Sequence, residues 1–177
     1  MKRKKTRDGA NKIVVSGDTA KIHLNRRKVC VIDAEDLPKV LGIKWTARKL
    51  LRNWYCAHNF KRPDGTWGTG YLHRVIAKTP LGMGTDHKDG NGLNNTKQNL
   101  RHCNQSQNNC NSRKRKNTTS KYKGVTWDKS RKSWTVYIAI NGKRISIGRF
   151  HNELLAGKAY NKAAKKYHGD FASPNVI

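Results

Sequence analysis

The stretch Thr85 to Asn111 reads TDHKDGNGLNNTKQNLRHCNQSQNNCN and sets an acid beside an imidazole, Asp86 and His87. A tight polar loop comes next, with Gly90, Asn91 and Gly92. The stretch closes on amides whose spacing suits a helix. Folding alone seldom calls for so many amides in one place; cutting a phosphodiester with one bound metal does.

Phosphodiester hydrolysis needs a water to lose a proton, a developing charge on phosphate to be neutralised, and a leaving oxygen to be stabilised. One divalent cation can serve the last two needs. A hard ion such as Mg²⁺, or another divalent cation such as Mn²⁺, takes oxygen ligands. Asp86 offers a carboxylate and Asn108 an amide oxygen. On an extended segment neighbouring side chains point to opposite sides, so His87 is left to act as general base. Its ordinary pKa of about 6.5 leaves it largely neutral at working pH. Gly90 and Gly92 are expected to permit unusual backbone conformations. Asn91, Asn94 and Asn95 are expected to bond to loop backbone. Asn99 is placed to bridge the loop just before Leu100 anchors the helix.

The rest of the chain sets the partner. Of 177 residues, 38 are Lys or Arg and 11 are Asp or Glu, for a net charge of +27. That excess points to a polyanion, with nucleic acid first. An anionic membrane is the weaker alternative, since no apolar run approaches a spanning length. MKRKKTRDGANK has a basic start without an apolar region behind it, so a secreted protein is not expected and a cytoplasmic one is. Cys30, Cys56, Cys103 and Cys110 include no CxxC pair, so free thiols are expected and zinc is not.

Residues 1–12 form a basic tail. Strand-like segments run from Ile13 to Asp33, with Ser16-Gly17-Asp18 as a turn. A short helix is predicted over Leu37 to Leu41, ended by Gly42. Trp54 to Phe60 reads as a strand, and Pro63-Asp64-Gly65 as a hairpin turn. LHRVIA predicts a short helix turning Val75, Ile76 and Ala77 inward. Trp45, Trp54 and Tyr55 are expected in the core. Residues 112–121 form a basic linker, in which Arg113, Lys114, Arg115 and Lys116 are candidate phosphate contacts, as are Lys88 and Arg101. Beyond it, strands are predicted over Tyr122 to Trp127, Trp134 to Ile140 and Arg144 to Ile147, with Asn141-Gly142 as a type I′ turn. Alternation gives this sheet one oily and one basic face. A helix over Asn152 to Tyr167 is expected to cover the oily face with a stripe of Leu155, Ala159, Ala163 and Tyr167, with Leu154, Tyr160 and Ala164 beside them, its alanines allowing close approach to the sheet. The open face of a narrow sheet can enter a major groove.

Residues 71–111 resemble the HNH homing-endonuclease family, in the branch found in phages and mobile introns, through YLHRVIA, DHKDGN, NN, NLR and Asn108. The resemblance implies a ββα-metal unit with Asp86 and Asn108 on the metal, His87 as general base and Asn99 as the structural asparagine. His73 also matches the family pattern, and no catalytic role is assigned to it. Residues 120–175 resemble the APETALA2/ethylene-response-factor DNA-binding domain through YKGV, the strand at Trp134, IGRF, AYNKAAKKYHG and the closing SPN. That resemblance implies a groove-facing sheet. By position its candidate DNA contacts are Lys123, Thr126, Tyr137, Arg144, Ser146 and Arg149, with Arg113 and Arg115 in the linker.

The expectation is therefore an α+β protein. A basic tail (1–12) leads into an HNH nuclease domain (13–111, its core at about 71–111). A linker (112–121) then joins a domain of three antiparallel strands packed on one helix (122–177). Its expected activity is that of a metal-dependent, site-directed endonuclease on double-stranded DNA. A monomer without a small-molecule cofactor is expected, in the cytoplasm of a phage-infected host. The rival readings are a non-catalytic DNA-binding regulator and a basic RNA-binding protein.

Overall fold

The computed structural model describes residues 10–112, 114 and 117–177. Arg113, Arg115 and Lys116, and all of the basic tail before Ala10, lie outside the described residues. The chain is α+β and divides into two compact units after His102.

In the first unit, β1 (Ile13–Ser16), β2 (Thr19–His23) and β3 (Val29–Asp33) form an antiparallel meander. Gly17, at φ 55°, makes the first turn. The period of two decides which side chains are buried: Ala20, Ile22, Cys30 and Ile32 are fully inside, while Lys21 and His23 are exposed. The next element is a 3-10 helix over Ala34–Lys39, shifted from the expected Leu37 to Leu41. Pro38 lies inside it and has no N–H to extend an α-helical ladder. The turn closes instead through Val40 N–H to the Leu37 carbonyl, 3.0 Å.

A second antiparallel sheet is built from β4 (Thr46–Leu50), β5 (Asn53–Lys61) and β6 (Trp67–Tyr71). Pro63-Asp64-Gly65 lies between β5 and β6 as expected, with Gly65 at φ 83°. The helix α1 (Leu72–Ile76) buries Leu72 and Ile76, one turn apart, and leaves Val75 39% exposed. The expectation of Val75 inward is corrected by that i, i+4 spacing. The aromatic trio also separates. Trp45 is buried, with its indole N–H on the Val40 carbonyl. Trp54 and Tyr55 are only half-buried, and Trp54 lies beneath Arg26, Lys28 and Lys49 at 5.2–6.0 Å. A two-stranded sheet, β7 (Gly84–His87) and β8 (Leu100–Cys103), carries the motif. Leu100 joins the core of Ile22, Ile32, Trp45, Leu72 and Ile76 and so ties the motif to the scaffold.

In the second unit, α2 (Gln105–Cys110) is capped by a reciprocal pair, Asn104 and Gln107. The strands β9 (Val125–Asp128), β10 (Ser133–Ile140) and β11 (Lys143–Phe150) form an antiparallel sheet in the order β11-β10-β9. Tyr122 and Lys123 precede β9 rather than belonging to it. Asn141 and Gly142, at φ 49° and 78°, make the predicted primed turn. The helix α3 (Glu153–His168) starts on Asn152, whose side chain accepts from the Leu154 and Leu155 amides.

The face that α3 buries is one side of the expected stripe: Tyr160, Ala163 and Ala164 lie inside as expected, and Leu154, Leu155 and Tyr167 do not. Ala156, Gly157, Tyr160, Ala163 and Ala164 are buried, whereas Leu155 and Tyr167 are 54% and 43% exposed. The cause is the size of the side chains beneath. Tyr122 lies so close to Gly157 that a Cβ there would meet its ring at 2.8 Å. Small residues, not leucines, therefore face the sheet, and Val136 and Ile138 complete that core. Among the described residues no helix is long and apolar enough to cross a membrane.

Candidate active site

Asp86 and His87 end β7 and are both buried, at 6% and 5% exposure. The strand sends them to different neighbours. The Asp86 carboxylate takes the guanidinium of Arg101 on β8, with Nε at 2.8 Å and a terminal nitrogen at 2.5 Å, both on Oδ2. Arg101, expected on phosphate, is thus committed in the first place to this acid, in a pair that is nearly closed to solvent. Lys88, the other expected phosphate contact of the motif, donates to the Gln98 carbonyl at 2.7 Å.

His87 lies among aromatic rings. Its ring centroid is 5.2 Å from that of His73 and 6.0 Å from that of Tyr55. Its Nε2 meets the Asn95 Oδ1 at 3.1 Å. Burial lowers the His87 pKa from its ordinary value; the Asn95 bond and the charges of Asp89 and Asp86 oppose that shift without cancelling it. His73 is pushed down to about 3 by burial, and by the nearby His87 and Arg74. Both imidazoles are therefore neutral at neutral pH.

The loop after His87 is built around a residue to which sequence reasoning gave no role. Asp89 Oδ1 accepts from the Asn91 amide at 2.8 Å and from Asn99 Nδ2 at 3.0 Å, and Oδ2 accepts from Asn94 Nδ2 at 2.8 Å. Its signal was present: Asp-Gly-Asn after a strand is Asx-turn chemistry. Asn99 closes the circle by accepting from the Asp89 amide and donating to the Asn94 carbonyl. Asn91 accepts from the Leu93 amide, and Asn94 from Thr96. Asn95 does something else. Fully buried, it reaches His87 on one side and Cys30 on the other.

The two glycines have different reasons. Gly90 has φ 68°, a left-handed turn position. Gly92 does not; a Cβ there would sit 2.4 Å from the Trp54 carbonyl, so it is glycine for space.

Asn108 lies on α2 in the second unit. Of the sheet candidates, Thr126, Arg144, Ser146 and Arg149 are exposed, and Tyr137 is half-buried. Thr126 pairs with Thr135 and Thr135 with Arg149, while Tyr137 pairs with Ser146, which puts these residues along one outward face of the sheet. The Arg144 guanidinium stacks 3.7 Å from the Tyr137 ring centroid. Lys123 is placed differently. Its ammonium donates to the Cys110 and Ser112 carbonyls, at 2.7 and 2.6 Å, and so caps the C-terminal end of α2.

Known proteins are similar to this chain in sequence. Residues 120–170 match the model of the AP2 domain. The uncharacterized HNH endonuclease L560 of Acanthamoeba polyphaga mimivirus is 34% identical over 130 residues, covering 70% of this chain and 67% of that protein. Protein 3.8 of Escherichia phage T7 is 35% identical over 94 residues, covering 52% of this chain and 76% of that protein. No solved structure matches. The similarity to L560 over two thirds of its length places the chain in the HNH endonuclease family, with an AP2 domain at residues 120–170.

Proposed function

We propose that the chain is a site-directed DNA endonuclease that hydrolyses phosphodiester bonds, with His87 as general base and one divalent metal on Asp86 and Asn108. The observation that carries this reading is the seating of Asp86 and His87, side by side on β7, buried, and each held by its own partner. A base must be neutral to take a proton, and burial of His87 favours the neutral ring. The carboxylate is held in one orientation by Arg101, which offsets its charge while it is buried.

The donor set fits a hard cation that keeps much of its shell in water and phosphate oxygen. Asp86 and Asn108 offer oxygens only. Among the described residues no group of three or more His, Cys, Asp or Glu could cage an ion. When bound, Mg²⁺ or Mn²⁺ would neutralise charge on the phosphate and on the leaving oxygen. The chain's own residues do the rest. His87 accepts the proton of the attacking water, the Asp89–Asn99 circle holds the strand ends in register, and the AP2 sheet supplies the address. Thr126, Tyr137, Arg144, Ser146 and Arg149 lie on the outward face available to a major groove.

The test is nicking or linearisation of supercoiled DNA carrying the sequence that flanks the gene, with Mg²⁺ or Mn²⁺. Wild-type protein should cut, and His87→Ala should bind with unchanged affinity and cut at least 100-fold more slowly, within the usual range for loss of a general base of about 10²–10⁴-fold. Equal cutting by His87→Ala would remove His87 as the base, and no cutting by the wild type with any divalent metal would leave a non-catalytic DNA-binding regulator.

A further inference from the structure

We infer that Asn95, held from behind by Cys30, is a positioning residue that fixes which nitrogen of the His87 ring carries the proton. The inference rests on His87 being the base. It assigns to the first sheet of the molecule, β1 to β3, a part in the chemistry of the motif.

The brace begins in the backbone. Val31 of β3 donates its amide to the Leu93 carbonyl at 2.9 Å and accepts the Asn95 amide at 2.7 Å. It thereby pairs in parallel with Asn94, so β3 grips the loop on both sides of that residue. Next to it, the Lys97 amide donates to the Asp33 carboxylate at 2.7 Å. The loop segment 93–97 is thus laid along β3, and Asn95 is carried into the interior, with no exposed surface.

The side chain of Asn95 then spans two groups. Its Nδ2 is 2.9 Å from Cys30 Sγ, and its Oδ1 is 3.1 Å from His87 Nε2. The orientation of the amide is set by the sulfur. Cys30 directs its own thiol at the Val31 carbonyl, at 3.9 Å. A sulfur so placed acts toward Asn95 as an acceptor, and the NH₂ end of the amide must face it. The carbonyl end is then left for His87, and only a protonated Nε2 can meet a carbonyl oxygen. In that tautomer Nδ1 holds the lone pair. Left to itself, a neutral imidazole exchanges between two tautomers; the Cys30–Asn95 pair removes the choice. The bond is the same device by which the second nitrogen of a working histidine is normally fixed, except that the partner is an amide oriented by a thiol.

If Asn95 merely shaped the loop, its removal would lower stability and leave the ring chemistry alone. The two roles separate by ¹H–¹⁵N long-range correlation spectra of the His87 ring in the full, metal-free chain, together with kcat and KM for nicking. The wild type is expected to show the Nε2–H tautomer, with an Nε2 proton protected from exchange. Asn95→Leu should lose that protection, and kcat should fall about 10–100-fold with KM and DNA affinity unchanged, as for loss of an orienting partner. Cys30→Ala, a milder change should Asn95→Leu not fold, should move the ring toward a mixture of tautomers and lower kcat several-fold. Cys30→Ser, which restores an acceptor at the same place, should recover most of the loss. An Nδ1–H ring in the wild type overturns the inference. So does an Asn95→Leu protein with a lower melting temperature and an unchanged kcat. If the wild type does not cut but its Nε2–H signal vanishes in Asn95→Leu, the brace stands and the nuclease reading fails.

Discussion

Asn99 is predicted to be the most costly asparagine of the loop to remove. It is 8% exposed, and its side chain makes three hydrogen bonds: it accepts from the Asp89 amide at 3.1 Å and donates to Asp89 Oδ1 at 3.0 Å and to the Asn94 carbonyl at 2.8 Å. Each such bond contributes about 1 kcal/mol net, and a buried group left unpaired costs about 1–3 kcal/mol. Asp89 is partly open to water, which can replace some of the loss, so Asn99→Ala should destabilise the first unit by about 2–4 kcal/mol. At about 4–8 °C per kcal/mol for a unit of this size, the melting temperature should fall by roughly 8–30 °C. Asn91 makes one side-chain bond, at 3.2 Å on the surface, and Asn91→Ala should cost under about 1 kcal/mol.

Asn99→Asp sharpens the test, because it keeps the shape and changes one donor into an acceptor. Its second oxygen would then face Asp89 and the Asn94 carbonyl. Two carboxylates in such a site cannot both be charged without cost, so one of them is raised above its ordinary range. The wild type behaves in the opposite way. Burial pulls the Asp89 pKa up, but the bonds from Asn91, Asn94 and Asn99 outweigh it, and the pKa lies below its ordinary 3.8. Wild-type stability from this group is therefore complete above about pH 4 and is lost as pH falls further. The variant should be weakest at neutral pH and should approach the wild type as pH falls through the raised pKa of the pair. Thermal unfolding followed by circular dichroism between about pH 4 and 8 measures the gap. A gap independent of pH would show that the Asn99 amide does not donate to Asp89.

Three further outcomes are expected. His73→Phe should flatten the acid limb of stability: a buried ring held at about 3 gives stability that is complete above about pH 6.5 and is lost as pH falls toward 3, and melting curves across that window read the difference. Gly124→Ala should cost about 3 kcal/mol or more, since the glycine has φ 77° and a Cβ would lie 2.1 Å from the Tyr160 ring and 2.8 Å from the Tyr137 carbonyl; the loss should appear in the melting of the AP2 unit. Lys123→Met should lower the nicking rate of bound DNA while leaving affinity within about threefold, because the ammonium holds α2 carbonyls; a loss of affinity with cutting per bound complex unchanged would return Lys123 to the groove.

The elements that the sequence disclosed are those whose cause is local. Asn141-Gly142 needs only its own two left-handed residues, and the alternation of β2 needs only a period of two. What stayed hidden was set by neighbours distant in the chain. The face of α3 depends on Tyr122, which is 35 residues before Gly157 and excludes any side chain there. A helical wheel of 152–167 offers one broad apolar stripe and cannot say which side of it meets an aromatic ring. Gly92 looks like a turn glycine until the Trp54 carbonyl comes within 2.4 Å of its missing Cβ.

The motif shows the same division. Asn99 was legible as the bridge of its loop, because spacing within one loop fixes what it can reach. Asn95 was legible only as a loop amide, since Cys30 approaches it from 65 residues away. Lys123 carries the same lesson in the second unit. On sequence position it faces a groove, but its own burial lowers its pKa, and two carbonyls at the end of α2 hold its charge. A lysine given to that helix end is not given to phosphate. The helix it caps carries Asn108, the expected metal ligand, so removal of the AP2 unit would take the cap from α2 along with the address. In the proposed mechanism cutting and addressing would then share a structural element, and a truncation ending before Lys123 should lose more of its cutting than the loss of DNA affinity alone explains.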